Sequence, residues 1–195
     1  RPAYIQKILP DAKVLHIIRD GRSVSASAIE RWLTKHPASY FLKKLKTVPA
    51  ASLPKFFLNA LGLKLSAMLK NKNYRQTWGS RWPGIEDDVA RLPLAALCAK
   101  QWVMQVEAAL SQKKQLRKNS YMEVRYEDLV SEPEKIFAKI SSFFELNFDQ
   151  KFNDWVSVAV DNNRTEKWRE YLDEEQLNLV LEQSSDLLIR LGYLR

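Results

Sequence analysis

The chain has 195 residues, 46% hydrophobic and 28% charged, with a formal net charge of +8. That length suits one domain with a sizeable core, and the mixture excludes wholesale disorder and collagen-like repeats. A single cysteine, Cys98, excludes an internal disulfide and a stapled secreted scaffold, and no Cys/His cluster suggests a metal site.

No apolar run reaches the roughly 18 residues of a membrane span. The cysteine usage favours a reducing compartment, and a cytoplasmic location is expected. The chain opens Arg1-Pro2-Ala3, without a methionine, and reads as the back part of a longer protein.

The charge is unevenly placed. Residues 31–85 hold eleven basic side chains, from Arg31 to Arg81, and no acidic one. The excess is therefore one basic segment on a near-neutral body. Such a segment attracts a phosphorylated ligand, a nucleic acid or an anionic membrane.

Residues Lys13 to Ile18 form a short β-branched run, read as a buried parallel strand. Arg19-Asp20-Gly21-Arg22 breaks it, and a helix is expected from about Ser23 to Lys35. An insertion follows, over about 38–92. After Pro54, Phe57, Leu58, Leu61, Leu65, Met68 and Leu69 recur at helical spacing with lysines mostly off the stripe, a basic amphipathic helix. Residues 73–93, rich in Trp, Pro and Gly, read as an ordered loop.

A long helix is expected from about Pro93 to Arg117, with Leu94, Cys98, Trp102, Val106 and Leu110 as its core stripe. Ser120 to Tyr126 alternates and reads as a second strand, with Met122, Val124 and Tyr126 on one face. Pro133 opens a helix to Phe144. Asp173 caps a last helix that Gly192 ends. The order of elements suggests an α/β domain with a parallel sheet, yet only two strands are visible.

Arg19, Ser23, Ser27 and Arg31 are spaced four apart, from a strand end along one face of the next helix. A helix N-terminus offers free N–H groups and a favourable dipole to an anion, arginine adds bidentate bonds, and serine adds a neutral donor. The bland alternative stays open at this point: Arg19 caps the sheet, Ser27 packs and Arg31 is solvated. Tyr126 can equally be a core residue, and Lys167 simply solvated. Asp128 is expected to fix backbone after the second strand, and His16 to be a satisfied core residue.

The segment from Val14 to Ser27 resembles the 3′-phosphate-binding segment of sulfotransferases that use 3′-phosphoadenosine 5′-phosphosulfate (PAPS). The resemblance continues in Val124-Arg125-Tyr126-Glu127-Asp128-Leu129-Val130, in Asn162-Asn163-Arg164-Thr165-Glu166-Lys167-Trp168-Arg169, and in Leu191-Gly192-Tyr193. It is closest to the tyrosylprotein and bacterial branch. It implies that Arg19 and Ser27 bind the 3′-phosphate, with Arg31 beside them. Tyr126 lies against adenine, and Arg164 and Lys167 belong to a loop over the nucleotide. It also implies a P-loop NTPase-like α/β fold, here partial, with a parallel sheet and a helical insertion. PAPS is the implied donor, with no metal.

The family's 5′-phosphosulfate loop and its His or Glu base precede the Arg19 segment. Here no GxGxxG or GxxxxGK[ST] occurs, and neither His16 nor His36 is a convincing base. The chain is expected to carry mainly the 3′-phosphate and adenine side, leaving the catalytic residues unassigned. Trp78, Arg81 and Trp82 in the insertion are candidates for an acceptor site, or anchors of their loop. The acceptor is open among glycan, lipid, protein tyrosine and small molecule. The basic helix reads as a lid, with peripheral membrane contact as the second reading. The alternative function is a non-enzymatic basic module for a membrane surface or nucleic acid. No RNA-binding aromatic motif or recognition helix accompanies the charge, so no nucleic acid is expected.

Overall fold

The computed structural model describes residues 2–33, 79–147, 149–159 and 165–194. The amphipathic helix expected after Pro54 lies outside them, as do Trp78 and Arg164. In chain order the elements are α1 (Pro2–Ile8), β1 (Val14–Ile18), α2 (Gly21–Leu33), α3 (Ile85–Arg91) and α4 (Leu94–Lys113). Then come β2 (Tyr121–Arg125), α5 (Tyr126–Ser131), α6 (Pro133–Phe144), α7 (Gln150–Ala159), α8 (Trp168–Tyr171) and α9 (Glu174–Arg190). The chain divides into two compact units, one of residues 1–29 with 93–195, the other of residues 30–92. The division falls inside α2.

Among the described residues the sheet has two strands. They are β1 and β2, paired in parallel from Val14 opposite Tyr121 to Ile18 opposite Arg125. A parallel pair needs a long crossover, and the chain between the strands, beginning with α2 and ending with α4, supplies it. Side chains alternate across the pair. Ile18 packs on Trp102, Val106, Leu187 and Leu188 of α4 and α9. On the other face Leu15, Met122 and Val124 pack on Ile136, Ile140 and Phe144 of α6. The sheet is thus covered by helices on both sides, as a mixed α/β domain requires. A third cluster joins α2 to α4, α8 and α9 through Ala26, Ala95, Ala99, Trp168, Leu172 and Val180.

Several boundaries differ from expectation, each for a local reason. Helix α2 starts at Gly21, two residues early, because Asp20 caps it: the Asp20 carboxylate accepts from the Arg22 N–H at 2.9 Å, and its carbonyl from the Val24 N–H at 3.0 Å. Gly21 is needed there for closeness. A Cβ at this position would stand 2.6 Å from the Trp102 ring. The expected loop over 73–93 contains α3, whose first turn holds Glu86, Asp87 and Asp88 in favourable register with the helix dipole. Tyr126 does not continue β2 but opens α5. The C-terminal helix forms as expected. Asp173 and Gln176 make a reciprocal capping box, and Gly192 follows with φ +74°.

Candidate functional site

The site is built at the carboxyl ends of β1 and β2, where the chain leaves both strands. Arg19 follows β1 and Tyr126 follows β2. Because the strands are neighbours in register, the two side chains meet, with the Arg19 guanidinium 4.5 Å from the centre of the Tyr126 ring. Such a stack is worth about 0.5–2 kcal/mol and holds the cation in one orientation. The structure therefore unites two of the residues singled out in sequence, 107 positions apart.

The helix N-terminus itself is not an open anion site. Asp20, 6% exposed, occupies it. Arg22 neutralises that carboxylate through Nε at 3.0 and 3.1 Å and Nη2 at 2.6 Å. Cationic attraction at this strand end comes from Arg19 rather than from the dipole of α2. Arg22 also donates to the Tyr193 carbonyl at 3.1 Å and lies 4.3 Å over the Trp168 ring. It is a structural hub that sequence reasoning missed, since its partners are remote in sequence.

The stripe of four splits by burial. Ser23 is 2% exposed, and its hydroxyl donates to the Thr165 carbonyl at 2.9 Å. It is an anchor for the segment before α8 and not a ligand donor. Ser27 is exposed on α2, with its hydroxyl donating to the Ser23 carbonyl at 3.0 Å. Its oxygen can accept there, and rotation of χ1 would turn the proton outward. Arg31 is exposed in the last turn of α2, within the second unit. Lys167 is exposed at the start of α8, next to the buried Trp168 that Arg22 and Arg169 flank on its ring.

Glu127, rather than Asp128, is the acidic residue after β2 that fixes backbone, and the backbone it holds is that after β1. Glu127 Oε1 accepts from the Asp20 N–H at 3.0 Å, and Oε2 from the Tyr193 hydroxyl at 2.9 Å. The Asp128 side chain is exposed. In the second unit, Arg81 pairs with Glu86, and Trp82 Nε1 donates to Asp88 at 2.8 Å. Both candidate acceptor residues described are thus engaged within their own segment.

His16 lies in β1, away from the strand ends. Its Nδ1 is 2.6 Å from the Tyr121 hydroxyl, which donates to Glu123 at 3.0 Å. The single hydroxyl proton goes to Glu123, so Nδ1 carries the imidazole proton. Burial lowers the His16 pKa below the ordinary 6.5, with Glu123 opposing and Lys113 adding to the shift. A depressed pKa means the fold prefers neutral imidazole. That preference stabilises the fold above about pH 6.5 and is lost as the pH falls below it. His16→Gln should remove this acid-side loss, seen as a flatter unfolding midpoint against pH from 7 to 5. Parallel curves for the two proteins would assign the acid sensitivity elsewhere.

Among the described residues no group of His, Cys, Asp and Glu could hold a metal ion, and no helix is long and apolar enough to cross a membrane. A model of the sulfotransferase family matches residues 67–150. The match supports a sulfotransferase family. It takes in β2, α5 and Tyr126 but stops short of the Arg19 and Lys167 segments, so those rest on their own geometry and resemblance. No curated protein and no solved structure matches the chain.

Proposed function

We propose that the chain binds PAPS through its 3′-phosphate and adenine, as part of a sulfotransferase acting on a hydroxyl or amine. The observation that carries this reading is the stack of Arg19 on Tyr126 at the ends of two parallel strands. A guanidinium held against an aromatic ring suits a ligand that presents a phosphate beside a flat base. The chemistry of the donor set fits. Arg19 supplies charge, Ser27 an exposed hydroxyl, and Tyr126 a half-buried ring surface. The resemblance adds Arg31, Arg164 and Lys167 as cationic residues of the proposed complement, and Lys167 lies two residues after Thr165, whose carbonyl Ser23 holds. No observation favours the non-enzymatic alternative. A cytoplasmic location goes with this reading, and peripheral membrane contact through the basic segment stays the second reading.

Bound PAPS supplies a sulfuryl group for in-line displacement, a reaction in which positioning and charge stabilisation dominate. The residues of this chain hold the nucleotide end: Arg19 offsets the charge of the 3′-phosphate and Tyr126 orients the base. The sequence shows no phosphate loop for the 5′ side and no convincing base. Removing even one donor of that kind typically costs about 10²–10³ in rate. The 195-residue chain should accordingly retain labelled PAPS, displaceable by 3′,5′-adenosine bisphosphate, without transferring label to phenol, sugar or peptide acceptors. Robust transfer would show that a cradle and a base lie within the chain. Failure to retain PAPS would remove the donor assignment.

A further inference from the structure

We infer that Glu127 and Tyr193 are positioning residues that set Arg19 for a 3′-phosphate, an inference that rests on the nucleotide reading above. The backbone is held on both sides of Arg19. Before it, the Ile18 carbonyl accepts from the Tyr193 hydroxyl at 3.0 Å. After it, the Asp20 N–H donates to Glu127 at 3.0 Å. The two holds are joined, because the same hydroxyl reaches the other Glu127 oxygen at 2.9 Å. Its one proton is shared between the Ile18 carbonyl and the carboxylate.

Tyr193 is itself fixed from three directions. Its N–H donates to the Leu188 carbonyl at 2.8 Å, its own carbonyl accepts from Arg22 at 3.1 Å, and the Arg125 guanidinium lies 4.3 Å from its ring centre. Burial and the Glu127 charge raise the pKa of its hydroxyl well above the ordinary value, so it remains a donor throughout the neutral range. Glu127 also directly follows Tyr126, whose ring carries the Arg19 guanidinium. One carboxylate thus ties together the backbone that launches Arg19 and the residue on which Arg19 rests.

An arginine side chain is long and loses much rotamer freedom when it binds. Fixing its Cα and its stacking partner beforehand lowers that cost, and small misplacements weaken a bidentate contact steeply. Asp128, next in sequence, is exposed and does not take part in this clamp.

The readout is the ratio of dissociation constants for 5′-AMP and 3′,5′-adenosine bisphosphate, measured by calorimetry. A merely structural role would weaken both nucleotides alike or lower only the melting temperature. Tyr193→Phe keeps the ring and removes the hydroxyl, and it should lower the ratio about 3–10-fold, as expected for one hydrogen bond. Glu127→Ala should do the same, with Glu127→Gln partly restoring the ratio because its amide oxygen still accepts from Asp20. Ile140→Val, a core change behind the opposite face of the sheet, should lower the melting temperature and leave the ratio alone. If Tyr193→Phe does not fold, the Glu127 pair decides the question. An unchanged ratio in a folded variant overturns the clamp and leaves the nucleotide reading standing. A wild-type ratio near one overturns both.

Discussion

Arg19→Ala should weaken 3′,5′-adenosine bisphosphate binding by about 1.5–3 kcal/mol, or roughly 10–150-fold, and leave 5′-AMP binding nearly unchanged. The asymmetry follows from what the side chain does. The guanidinium is held on Tyr126 at the end of β1, and in the proposed reading it pairs with the phosphate that distinguishes the two nucleotides. Calorimetry on wild type and variant measures both affinities in one format. Equal losses for the two nucleotides would show that Arg19 supports the site generally and does not read the 3′-phosphate.

The second large effect is on stability. Trp168→Ala should cost about 3–5 kcal/mol, the range for truncating a buried aromatic residue. Trp168 is 6% exposed and packs with Ala26, Ala95, Ala99, Leu172 and Val180, while Arg22 lies 4.3 Å over its ring. Domains of this size are stable by only about 5–15 kcal/mol, so the variant should stand close to unfolding. Trp168→Phe should recover much of the loss. Urea denaturation reads the difference. A cost below about 1 kcal/mol, the usual surface range, would mean that Trp168 does not anchor the segment before α9.

How much of this was legible in sequence depended on the reach of each interaction. The Val14–Ile18 and Tyr121–Arg125 strands announced themselves by β-branched runs and alternation, because each buries side chains locally. The Asp173 cap and the Gly192 stop are contained within a few residues, and both read correctly. The helix α1 left no signal because none of its residues is buried, and a core stripe is what a periodic pattern reports. The six-residue α5 was hidden because its first residue also completes the alternation of β2.

The site shows the same divide. Arg19 and Ser27 stood out by spacing and resemblance, which are local properties of the chain. The split between buried Ser23 and exposed Ser27 did not, because the Ser23 partner, Thr165, lies 142 residues away. Glu127 was passed over for the same reason, with partners at Asp20 and Tyr193. Asp20 caps α2, although the expected helix begins only at about Ser23. That it closes the helix end to an incoming anion became visible only with Arg22 folded onto it.

The central claim is that this chain recognises an adenine nucleotide by its 3′-phosphate. Calorimetric titration of the wild-type chain with 3′,5′-adenosine bisphosphate and, separately, with 5′-AMP tests it most directly. The account predicts that the bisphosphate binds at least tenfold more tightly, corresponding to about 1.4 kcal/mol or more from the added phosphate. Equal affinity for the two nucleotides, or no binding of either, would contradict it.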